Sequence, residues 1–94
     1  MTLDDVKQMN FESEMSQIEI NNFINEMMKL DKDNFSEIFV YILDEIVSLK
    51  TLNSLTEKDI IINNNVKKLF KNDLIKKQLI NFYGDIDGIA DYGL

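Results

Sequence analysis

Hydrophobic residues recur at helical spacing along most of the chain. Between positions 17 and 31, Ile20, Phe23 and Met27 lie with their apolar neighbours in an arc of about 160° on a helical wheel. Between 35 and 52 the apolar stripe extends around most of the helix, so that helix is expected to be central or to keep one face for a partner. A third pattern runs from 57 to 83. This pattern fits either one bent helix or two; because Asn72 or Asp73 could cap a new helix within it, we favour two.

Four candidate N-terminal capping motifs lie near the starts of the predicted helices. In a capping box, a polar side chain and an acidic side chain three residues later each bond the other's free backbone amide. In decreasing strength, the candidate pairs are Ser16 with Glu19, Thr56 with Asp59, Asn34 with Glu37, and Thr2 with Asp5. The chain has no proline, and its first glycine, Gly84, is expected to end the last helix. The isoleucine run at 60–62 favours a strand by propensity, but no second strand pattern exists to pair with it.

The pattern and the caps together predict an all-α fold, a small four- to five-helix bundle in a single domain. The expected helices span roughly 3–9, 17–31, 35–52, 57–71 and 73–83. Residues 1–84 would form the bundle, and 85–94 an acidic, glycine-containing tail. A chain of 94 residues with 45% hydrophobic content can form one core without a metal or disulfide.

The absence of several residue types argues against catalysis. The sequence contains no Cys and no His, so acid–base chemistry near neutral pH would need a carboxylate, Lys or Tyr with a shifted pKa. A glycine-rich phosphate loop is excluded, because all three glycines lie at or after Gly84. We therefore expect a protein that is not an enzyme and binds no cofactor or metal. The tail pattern Asp85, Asp87, Asp91 is a poor calcium loop, and we expect a solvated or partner-binding tail with contacts at Ile86, Ile89 and Tyr92.

Glu45 falls inside the apolar arc of its predicted helix. Two readings are open at this position. The carboxylate could sit at the edge of the arc with only its stem packed, or it could be a buried acid that fixes helix register or titrates with pH.

Charge is distributed unevenly along the chain. Residues 1–47 hold eleven acids and three lysines, net −8, whereas residues 48–94 hold six acids and seven lysines, net +1. An acidic surface suits docking on a basic one, because complementary charge speeds association. We therefore expect a protein partner with a basic surface, such as the nucleic-acid channel of a nuclease. The expected acidic contacts are Glu12, Glu14, Glu19, Glu26, Asp31, Asp33, Glu37 and Asp44, and the expected exposed apolar anchors are Ile18, Tyr41 and Val47.

Small, acidic, all-helical chains of this kind include toxin immunity proteins and phage-encoded inhibitors of host defence, anti-CRISPR proteins among them. These share only gross properties with the sequence, which matches no single family motif. The prediction is a small acidic inhibitor or immunity-type protein, in a bacterial or host cytoplasm, since no leader or membrane span is evident. The richness in Ile, Asn and Lys is typical of an AT-rich genome.

Two alternatives remain open at this level. The over-apolar 35–52 helix could pair with a second copy to form a homodimer or adaptor module. The lysine-rich 66–83 segment could bind nucleic acid or a membrane surface, because residues 66–77 alone carry a net charge of +4. Nucleic acid is the less favoured partner, since the chain has no Arg and its net charge of −7 repels polyanions.

Overall fold

A computed structural model describes residues 1–47, 50 and 52–84. Five α-helices account for most of this region, and they confirm the predicted all-α bundle. They are α1 (Leu3–Lys7), α2 (Gln17–Met28), α3 (Lys32–Tyr41), α4 (Glu57–Phe70) and α5 (Asp73–Tyr83). A π-helix at Ile42–Ile46 continues α3, and a 3₁₀ turn at Leu52–Ser54 precedes α4. The predicted tail, with Ile86, Ile89 and Tyr92, lies outside the described residues.

Capping boxes begin three of the helices, as the sequence predicts. Thr2 with Asp5, Ser16 with Glu19, and Thr56 with Asp59 each form both reciprocal hydrogen bonds. The region from 57 to 83 is two helices rather than one, because the Asn72 side chain accepts a hydrogen bond from the Leu74 amide and starts α5. Gly84 ends α5 with a φ of 76°, a left-handed conformation that glycine adopts without steric cost.

The start of α3 differs from the prediction. Asp31, rather than Asn34, is the N-cap, and its carboxylate accepts a hydrogen bond from the Asn34 amide at 2.9 Å. An N-cap residue has extended backbone, so α2 cannot continue through it and ends at Met28 instead of position 31. The other predicted ends are also slightly long, since α1 stops at Lys7 and α4 at Phe70.

The helix that begins with α3 also ends earlier than the predicted position 52. Regular α-helix stops at Tyr41, and the next turn is wider, with the Val47 amide bonding the Ile42 carbonyl at 3.0 Å. A π-turn advances each residue by a smaller angle than an α-turn, so a helical wheel drawn through it misplaces the side chains that follow. Glu45 is exposed, so of the two readings open at this position the buried acid is wrong, and the exposed carboxylate agrees with the edge position.

The core forms where all five helices meet. The helix α2 packs against α4 and α5, and α1 packs against α3. Four phenylalanines link α3 to the ends of α4 and α5. The ring centroids of Phe35 and Phe82 are 5.2 Å apart, and those of Phe39 and Phe70 are 4.8 Å apart. This packing fixes the orientation of α3 relative to α4 and α5.

Candidate protein-binding face on α3

The eight acidic residues predicted to contact a partner do not share one surface. Five of them bond within the molecule. Glu12 pairs with Lys58 at 3.6 Å, and Glu14 pairs with Lys68 at 3.4 Å. The carboxylates of Glu19 and Asp31 cap helices, and Glu26 binds both the Met1 ammonium and Lys29 at 3.4 Å.

The other three, Asp33, Glu37 and Asp44, all lie on α3 and its π-helical continuation. All three are exposed, and no cation lies within 4.0 Å of their carboxylates in the part of the chain that the structure describes. Asp33 and Glu37 are one turn apart, about 6 Å along the axis. The same side of the helix carries Val40, which is 50% exposed, next to half-buried Tyr41. We call these five residues the α3 face.

The three predicted apolar anchors lie in different parts of the structure and differ in exposure. Tyr41 belongs to the α3 face, where the Lys7 ammonium lies 5.7 Å from its ring centroid. Ile18 is 73% exposed but belongs to α2, on the side opposite the core. Val47 is buried, and the expectation that it is exposed is wrong. The helix ends just before Val47, whose extended backbone turns the side chain toward the core.

A cleft separates α1 from α3 beside this face. Its volume is about 410 Å³. Leu3, Leu30 and Ile38 supply apolar walls, and Asp4 of α1 and Glu37 of α3 bring carboxylates to it. Thus one residue of the α3 face, Glu37, also lines a cavity large enough for a partner's side chain.

The lysine-rich segment uses its apolar residues mainly inside the molecule. Its buried side chains are Val66, Leu69, Phe70, Ile75 and Leu79. Lys71, Lys76 and Lys77 are exposed. A membrane-surface helix needs an apolar face free to enter the lipid. The core here takes up five apolar side chains of the segment, whereas Leu74, Ile80 and Tyr83 are 46%, 50% and 40% exposed. Of the helices described, none is both long and apolar enough to cross a membrane.

Asn65 is a structural residue that sequence reasoning missed. It is 1% exposed, and it lies in an asparagine run that composition alone explains. Its side-chain nitrogen donates to the carbonyls of Phe11 at 2.9 Å and Ser13 at 2.8 Å, and its oxygen accepts from the Met15 amide at 3.0 Å. These bonds hold the non-helical segment between α1 and α2 against α4. Position 65 lies on the core side of α4, between Ile62 and Leu69, and this was the available signal.

Across residues 1–47, 50 and 52–84, no group of three or more acidic side chains is placed to hold a metal ion.

No family model matches the chain, and neither a search of curated proteins nor a search of solved structures found a match.

Three carboxylates, of Asp5, Glu26 and Asp59, have a pKa below the ordinary value. The Thr2 amide lowers the pKa of Asp5, the Thr56 amide and then Lys50 lower that of Asp59, and the Met1 ammonium and then Lys29 lower that of Glu26. Since these carboxyls bind protons less readily when folded, each stabilises the fold above its unfolded pKa, and the contribution is lost as pH falls through the folded pKa.

We therefore expect the free energy of unfolding to fall as the pH drops below about 4.5. Urea denaturation at a series of pH values measures this effect. Asp59→Asn should make the free energy of unfolding fall less steeply at acid pH, because it removes one of the three carboxyls with a lowered pKa. Asp44→Asn, at an exposed position outside the caps, is the matched control and should leave the slope closer to that of the parent. If the free energy of unfolding changed with pH equally steeply for Asp59→Asn and the parent, the stabilising role assigned to the Asp59 carboxylate would be wrong.

Proposed function

We propose that this protein is a small acidic binding protein that uses the α3 face to cover a basic surface of a partner protein, as an inhibitor or immunity-type protein does. The observation that carries the proposal is the contrast among its acids. Five of the eight predicted contacts bond to other groups of the same chain. Asp33, Glu37 and Asp44, on α3 and its π-helical continuation, are exposed and have no cation within 4.0 Å among the described residues.

The apolar residues of the face support this proposal. A protein interface combines an apolar centre with a polar rim. Val40, half exposed, and Tyr41, half buried, lie between Glu37 and Asp44 along the helix and could form such a centre. Tyrosine is common at interfaces because its ring buries apolar area and its hydroxyl bonds polar groups. The basic surface of a nucleic-acid-binding protein is the kind of partner that this combination fits.

The rigidity of the face also favours binding. Phe35 and Phe39, on the opposite side of α3, pack in the core at 0% and 4% exposure. The carboxylates therefore stand on a helix whose orientation is already fixed, and a partner need not order the backbone when it binds.

Two triple variants of equal net charge test the proposal. The first is Asp33→Asn, Glu37→Gln and Asp44→Asn; the second is Glu12→Gln, Glu14→Gln and Glu57→Gln. Each removes three negative charges and changes the formal net charge from −7 to −4 (−7 + 3). Immobilised parent and variants are used to capture proteins from lysates of the source cell and of its host.

We expect one basic protein to be captured by the parent and by the second variant, and to be depleted at least tenfold with the first. Equal capture by both variants would mean that net charge, and not the α3 face, governs binding. The absence of any protein that distinguishes the two variants would reject the proposed function.

A further inference from the structure

The cleft between α1 and α3 combines apolar walls with carboxylates from both helices. Leu3 and Leu30 line it together with Ile38, which is 1% exposed. Asp4 and Glu37 are both exposed, and neither has a cation within 4.0 Å among the described residues. A side chain that is aliphatic along its stem and cationic at its end would match both features.

The cations already near the cleft are held elsewhere. Lys7 lines it, but its ammonium lies over the Tyr41 ring, 5.7 Å from the centroid. The Met1 ammonium is 3.4 Å from the Glu26 carboxylate, on the α2 side of α1. The carboxylates of Asp4 and Glu37 are thus available to a cation that enters from outside.

The cleft has room for a side chain. At about 410 Å³, it lies near the lower end of the range of roughly 300–1,000 Å³ that small-molecule sites occupy. A partner docked on the α3 face would be able to insert one of its side chains into this cleft.

We propose that this cleft receives an arginine side chain of the partner protein, an inference that rests on the proposed function for the partner's identity. The planar guanidinium carries five donors and can reach two carboxylates at once, whereas a lysine ammonium is a compact, strongly hydrated charge. The side-chain oxygen of Asn34, also in the lining, offers a third acceptor. The aliphatic part of arginine packs on Leu3 and Leu30.

An NMR titration of the full chain with N-acetyl-arginine amide tests this inference without any partner. We expect saturable shifts of the backbone amides that line the cleft, and an affinity at least threefold higher than that of N-acetyl-lysine amide. Asp4→Asn and Glu37→Gln should each weaken arginine binding about fivefold. Asp33→Asn, one turn from Glu37 and outside the cleft lining, should change it less than twofold.

Equal affinities for arginine and lysine, or an Asp33→Asn loss as large as that of Glu37→Gln, would overturn the inference in favour of non-specific attraction. An absence of saturable shifts at the cleft would also overturn it. Thermal melts of each variant confirm that the fold is retained. If arginine fails while the partner is still captured through the α3 face, only the cleft assignment is wrong. Arginine binding combined with failed capture would instead reject the proposed function alone.

Discussion

Asn65→Ala is expected to lower the free energy of unfolding by about 2–4 kcal/mol, because it leaves two carbonyls and one amide without their hydrogen-bond partner. Asn65 bonds Phe11, Ser13 and Met15, and the first and last of these bonds are buried. Without them, the segment that carries buried Phe11 and Met15 loses its main polar attachment to α4. Urea denaturation followed by circular dichroism measures the change.

Asn64→Ala is the matched control for this experiment. Asn64 is exposed on the same helix, and alanine has the higher helix propensity, so we expect a change of less than about 0.5 kcal/mol. Asn65→Asp retains the acceptor for the Met15 amide but places a carboxylate against two carbonyl oxygens, and it should also be strongly destabilising at neutral pH. A loss at position 65 no larger than that at position 64 would contradict the role assigned to Asn65.

Phe35→Ala is the second large expected effect, a loss of about 3–5 kcal/mol. Phe35 is 0% exposed, and its ring contacts those of Phe39 and Phe82. Truncation removes apolar burial and leaves a cavity at the point where α3 meets the end of α5. Because small domains are stable by only about 5–15 kcal/mol, this variant should unfold at a much lower urea concentration.

Val40→Ala, five residues further along α3, controls for loss of apolar volume on the same helix. Val40 is 50% exposed, so the stability change should stay below about 1 kcal/mol. The two α3 variants together separate the core side of the helix from its proposed binding side. Comparable losses from both would mean that α3 is not oriented as described.

The bundle could be predicted because its determinants are local. Capping boxes at Thr2, Ser16 and Thr56 depend on residues three positions apart, and the break before α5 depends on one asparagine. Apolar spacing identified the core faces of α2 and α4 for the same reason. These features need no knowledge of which helices pack together.

Two features escaped prediction because they depend on tertiary structure. The π-turn after Tyr41 shifts the angular positions of later residues, so a regular wheel misplaced Glu45 and gave no sign that the helix ends before Val47. Asn65 gains its role from carbonyls more than fifty residues away in sequence. The sequence pattern of α4 alone does not indicate that Asn65 has these hydrogen-bond partners.

The candidate site could be predicted only as a set of acids. Sequence charge indicated the first half of the chain, but exposure and pairing depend on the folded positions of the lysines. Lys58 and Lys68 of α4 reach Glu12 and Glu14 only because the 8–16 segment lies against that helix. Once the five acids that form ion pairs or helix caps are set aside, the predicted set reduces to Asp33, Glu37 and Asp44, on α3 and its π-helical continuation.

We propose that Asp33, Glu37 and Asp44 together bind a basic partner as one local surface. Calorimetric titration of the captured partner with the parent and with the two triple variants of net charge −4 tests it most directly. We predict a dissociation constant at least tenfold higher for the Asp33, Glu37 and Asp44 variant, and one within about twofold of the parent for the Glu12, Glu14 and Glu57 variant. Equal weakening by both variants would contradict the claim.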